Sequence, residues 1–140
     1  IWGGYMYVTG GCSALSATNC STVISNDTLK LASINADGSL TDWTSVAGVT
    51  TTKVGYGLVG WRNTIYQIGG CTGMTTNNCT NSTTTLETTA YGRINGDGDV
   101  SPVETENAQP TLGNGTGQVG RTAMGVVINN GYIYNIGGVC

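Results

Sequence analysis

Thr64-Ile65-Tyr66-Gln67-Ile68-Gly69-Gly70 is the stretch whose reading decides the fold. It is a hydrophobic, tyrosine-containing strand pattern closed by two glycines. The pattern stands again at Tyr5-Met6-Tyr7-Val8-Thr9-Gly10-Gly11 and at Tyr132-Ile133-Tyr134-Asn135-Ile136-Gly137-Gly138. A cysteine follows each copy: Cys12, Cys71 and, one residue later, Cys140. Recurrence at a fixed station of a roughly 60-residue unit is the mark of a repeat architecture. Anchored on the double glycine, residues 1–11 read as the end of a preceding blade and 12–70 as a first full repeat. Residues 71–138 read as a second repeat, and 139–140 as the start of a further one.

Working outward, each repeat opens with a cysteine-bounded loop rich in Thr, Ser and Asn. A short strand pattern follows, Asp27 to Ile34 in the first repeat and Leu86 to Ile94 in the second. Leu29 and Leu31 share a face at period two. The turns Asn35-Ala36-Asp37-Gly38 and Asn95-Gly96-Asp97-Gly98 come next, and Asp-Gly between alternating segments is a hairpin signal. The strand after the turn carries Trp43 in one repeat and Val103 in the other. Pro102 places the second of these strands at an edge, or starts it late. Lys53 and Arg121 then occupy one station, ahead of a strand that leads by a tight turn into the Gly-Gly strand. Each repeat thus supplies four short strands in meander order, and no segment shows a helical apolar period. The expected fold is all-β: four-stranded antiparallel meander blades of a β-propeller. The third Gly-Gly strand and the extra Cys140 lead us to expect an incomplete segment of a larger propeller. The alternative is a two-blade chain that self-associates.

Composition narrows the function. Only 9% of residues are charged and the net charge is −3, so there is no basic patch for nucleic acid. No apolar run approaches the roughly 20 residues of a membrane helix. Cys12/Cys20 and Cys71/Cys79 form two pairs, each with seven residues between. The chain has no His, and the spacing is longer than in zinc knuckles. Disulfides closing small loops fit better than metal, and they imply an oxidising, extracellular compartment. Cys140 is left without a mate in this stretch.

The chain resembles the kelch family. The resemblance rests on Gly10-Gly11, Gly69-Gly70 and Gly137-Gly138, on Tyr66 and Tyr134 ahead of the last two, on Trp43 after the turn, and on Arg121 and Lys53 before the next blade. The chain departs from the family in lacking the second Trp, in its cysteine-bounded loops, and in repeats longer than the usual ~50 residues. The resemblance implies a scaffold: a binding platform, an adhesin, a partner-docking module or, as in galactose-oxidase-like proteins, the frame of a copper enzyme. Fold alone does not choose among these.

Without His, neither a Ser-His-Asp arrangement nor a copper site of that type can be assembled from these residues. No catalytic residue is expected, and no cofactor. Asn95, Asp97 and Asp99 alternate as calcium ligands would, although a hairpin turn bonded to its own backbone explains them as well. Sequons at Asn19, Asn26, Asn78, Asn81 and Asn114 are candidate glycan sites, against the background that a Thr- and Asn-rich chain makes sequons by chance. Trp2 and Trp61 share a station and are candidates for stacking on a ligand sugar, with blade-to-blade packing as the competing role. The functional expectation is a non-catalytic, secreted or cell-surface structural or adhesive protein. Its loops would bind a protein, a glycan or copies of itself. The competing class is the scaffold of a secreted carbohydrate-active or copper enzyme with its catalytic residues elsewhere.

Overall fold

The computed structural model describes residues 1, 3–10, 12–16, 19–23, 29–46, 54–71, 88–101, 104–108 and 121–138, with backbone alone for 12–16, 19–23, 88 and 104–108. In chain order the strands are β1 (Tyr5–Val8), β2 (Cys12–Ser16), β3 (Asn19–Val23), β4 (Leu29–Ser33), β5 (Thr44–Val46), β6 (Gly57–Trp61), β7 (Thr64–Ile68), β8 (Thr88–Arg93), β9 (Glu104–Ala108), β10 (Gly125–Asn129) and β11 (Tyr132–Ile136). Among the described residues the protein is all-β, and every strand pairing is antiparallel.

Three sheets carry the repeats. The most complete is the meander β6-β7-β8-β9; β1-β4-β5 has three strands and β10-β11 two. By repeat alignment β1, β7 and β11 are one strand in three settings. The four-stranded sheet straddles Gly69-Gly70, so each sequence repeat supplies two strands to one sheet and two to the next. β9 is an edge strand that begins at Glu104, as the proline before it requires.

Two parts depart from the sequence reading. The first cysteine-bounded loop contains a separate hairpin, β2-β3. Its polar composition hides it, and two register irregularities break its period-two pattern. Trp43 is 42% exposed and precedes β5, so the strand after the turn does not carry it as the sequence pattern leads one to expect.

Register decides what each face buries. Ile65 lies opposite Gly60 and Gly92, and Gln67 opposite Leu58 and Ala90. Ile65, Leu58 and Ala90 therefore share one face, while Tyr66, Val59 and Tyr91 share the other. The first face closes the main core against β1-β4-β5. Leu29, Leu31, Val46, Ile65, Ala90, Ile94 and Val100 are buried there, with Tyr5, Tyr7 and Leu58 packed around them. Each large aliphatic fully buried this way contributes roughly 1.5–3 kcal/mol.

The second face meets β10-β11. A Cβ on Gly57 would overlap Val126 Cγ2, and one on Gly131 would lie 3.3 Å from Trp61, so both contacts depend on a bare backbone. Main-chain bonds tie the same boundary. Gly70 N donates to Arg121 O at 2.9 Å, and Ala123 N donates to Gly55 O at 2.6 Å. The Thr122 hydroxyl also donates to Gly55 O at 3.1 Å.

The double glycine now has a physical reason. Gly70 and Gly138 have φ of 95° and 90°. A Cβ would lie 2.9 Å from Val54 O at Gly70 and 2.9 Å from Thr122 O at Gly138. Val54 and Thr122 occupy the same station, one residue after the basic position. Both repeats thus demand glycine for the same pair of reasons, a left-handed backbone and a carbonyl against it.

Candidate functional site

The best-built polar arrangement is the joint where β1 meets the turn between β8 and β9. The turn closes on itself: Asn95 N donates to Asp99 O at 2.7 Å and Gly98 N to Asn95 O at 3.0 Å. Asp97 Oδ1 accepts from Asp99 N at 3.1 Å. Gly98 has φ of 92°, which a side chain rarely adopts. A Cβ there would lie 3.0 Å from Tyr5 Cε1. The Tyr7 hydroxyl donates to Gly98 O at 2.8 Å. Two tyrosines on one strand thus hold a turn of the next sheet, one by ring contact and one by a hydrogen bond.

Beside this joint lies a cleft of about 70 Å³, partly open to solvent, lined by Ile1, Tyr7, Leu58, Val59, Gly60, Ile65 and Ile94. Its side chains are apolar apart from the Tyr7 hydroxyl, which is engaged. Converging polar groups of the kind that orient a small-molecule substrate are missing from its walls.

Burial raises the Tyr7 pKa, and neighbouring Tyr5, Asp97 and Asp99 push it the same way. Burial also raises the Tyr56 pKa. Both hydroxyls therefore hold their protons more tightly in the folded state than in the unfolded one. That stability is fully present below the ordinary tyrosine pKa of about 10 and is lost as pH rises through the raised values. The melting temperature should stay level up to that point and then fall. In Tyr56→Phe the alkaline fall should be shallower, and an unchanged profile would contradict this assignment. At the matching turn of the first repeat the Asp37 carboxyl is lowered, chiefly by the Ser39 hydroxyl and then by the Ser39 amide.

The expected site residues fall out as follows. Asn95, Asp97 and Asp99 lie in the closed turn, with Asp97 Oδ1 committed to a backbone amide. No cluster of three or more His, Cys, Asp or Glu suited to a metal is found among the described residues. Trp61 is half-buried between Gly131 and the Arg62 guanidinium, which sits 4.4 Å above its ring. Cys71 is fully buried and disulfide-bonded. The β2-β3 register sets Cys12 opposite Val23 and Cys20 opposite Leu15, so these two are not cross-strand neighbours. Asn19 is on β3. Trp2, Asn26, Cys79, Asn78, Asn81, Asn114 and Cys140 lie outside the described residues.

The tyrosine–turn joint is what sequence reasoning missed. Its two halves were each visible as repeated motifs, but nothing in the linear pattern pairs a strand with a turn about ninety residues away. Comparison of the chain with known protein families and with curated proteins gives no match.

Proposed function

We propose that this chain forms kelch-like β-propeller blades of an extracellular or cell-surface protein with a structural or adhesive role. The observation that carries the reading is the face-to-face succession of sheets built from equivalent strands. One face of β6-β7-β8-β9 meets β1-β4-β5 through the main core, and the opposite face meets β10-β11. Such stacking is how propeller sheets bury both faces. The disulfide at Cys71 suits an oxidising compartment. The Thr- and Asn-rich loops then supply the recognition surface, toward a protein or a glycan.

The test is attachment. Beads coated with the oxidised chain are offered to glycan-coated and protein-coated surfaces, with the reduced chain as control. Saturable attachment to one class of surface, lost on reduction, is expected. A folded, oxidised chain that attaches to none would remove the adhesive reading.

A further inference from the structure

The chain carries a second copy of each half of the tyrosine–turn joint. Tyr132-Ile133-Tyr134 on β11 repeats Tyr5-Met6-Tyr7 on β1. Asn35-Ala36-Asp37-Gly38 repeats the turn that β1 holds, with the same closing bonds. Asn35 N donates to Ser39 O at 2.8 Å, and Gly38 N donates to Asn35 O at 2.9 Å. Asp37 Oδ1 accepts from Ser39 N at 2.9 Å. The bridge Ile34↔Leu40 matches Ile94↔Val100. The two turns are therefore the same object.

Their surroundings differ. Gly98 is buried, whereas Gly38 is exposed and has no described atom within 4 Å of its Cβ position. Val100 is 2% exposed and its equivalent Leu40 38%. At the other end of the sheet series, Tyr132, Tyr134, Val127 and Ile136 are exposed, Tyr132 at 68%. Val127 lies opposite Tyr134 in register, so both point to one face. Its counterpart in the preceding sheet, the face of Val59 and Tyr66, is the one against which β10-β11 packs.

We infer that two copies of this chain associate head to tail, the Tyr132/Tyr134 face of one docking on the Asn35–Gly38 turn of the other. The contact repeats the joint observed between β1 and the β8–β9 turn. Among the described residues each copy exposes one such strand face and one such turn, so two copies of this chain can form two identical joints. The inference rests on the propeller reading, in which successive sheets stack through this joint.

Sedimentation of the oxidised chain over a concentration series tests it. The expected species has about twice the 14.4 kDa monomer mass. The double variant Tyr132→Ala/Tyr134→Ala and the variant Gly38→Asn, whose asparagine tolerates the φ of 85° at that turn, should each sediment as a folded monomer. Mixing the two should restore a dimer, because one intact face and one intact turn remain between them. A wild-type monomer at every concentration would overturn the inference, and so would a Gly38→Asn chain that still dimerises. A wild-type monomer whose melting temperature drops in Tyr7→Phe would leave the internal joint standing and remove only the pairing of copies. An unchanged melt in Tyr7→Phe would remove the joint itself, and the support it lends the propeller reading.

Discussion

Gly70→Ala is expected to destabilise the protein by about 3 kcal/mol, roughly three times the loss in Gly137→Ala. A methyl group at Gly70 meets two obstacles at once. The backbone has φ of 95°, a region costing an L-residue roughly 1–2 kcal/mol. The new Cβ would also lie 2.9 Å from both Val54 O and Tyr56 Cβ. The carbonyl cannot easily retreat, because it accepts a hydrogen bond from Cys71 N at 3.0 Å. Overpacking of this kind adds roughly 1–3 kcal/mol. Gly137, the first glycine of its pair, has φ of 71° but no described atom within 4 Å of its Cβ position, so alanine there meets the backbone cost alone. Against a total stability of about 5–15 kcal/mol, the difference should be plain in urea midpoints. Equal shifts in the two variants would show that the carbonyl contact is not what excludes a side chain.

Ile65→Ala should cost about 3 kcal/mol, and the repeat-equivalent Ile133→Ala only about 1 kcal/mol. The two isoleucines occupy the same position of the same motif. Ile65 is 3% exposed, in the core between two sheets, while Ile133 is 37% exposed. Removing buried methylenes leaves a cavity that β4 and β8 cannot fill, whereas at Ile133 water reaches the site directly. Denaturant unfolding of both variants decides the point. A loss at Ile133 as large as at Ile65 would mean that the sheet face, rather than its neighbour, sets the energetics.

The strands were legible where the sequence repeats itself. The Gly-Gly copies located β1, β7 and β11, and the Asp-Gly turns located the ends of β4 and β8. Pro102 correctly sent the following strand to an edge. What was hidden depended on contacts between distant segments. Trp43 reads as a core residue by type, yet the packing leaves it near the surface. The β2-β3 hairpin is built mostly from Ser, Thr, Asn and Cys, residues whose pattern says loop. The exposure of Ile133 beside the burial of Ile65 cannot be read from two equivalent motifs at all, because it depends on the flanking strands: β8 covers one side of β7, whereas among the described residues β11 has β10 alone beside it. The tyrosine–turn joint is the same kind of case: the motifs were visible, but their meeting was not.

The offset between sequence repeat and sheet has an evolutionary consequence. Because the boundary at Gly69-Gly70 falls inside a sheet, gain or loss of a whole repeat always joins a Gly-Gly strand to the third and fourth strands of another sheet. Deleting 12–70, for instance, would bring β1 directly to β8 and β9, recreating the kind of sheet that β1 already forms with β4 and β5. Unequal recombination at that point conserves every type of strand neighbour. The architecture can lengthen or shorten by whole repeats while each splice lands on a seam already made to be joined.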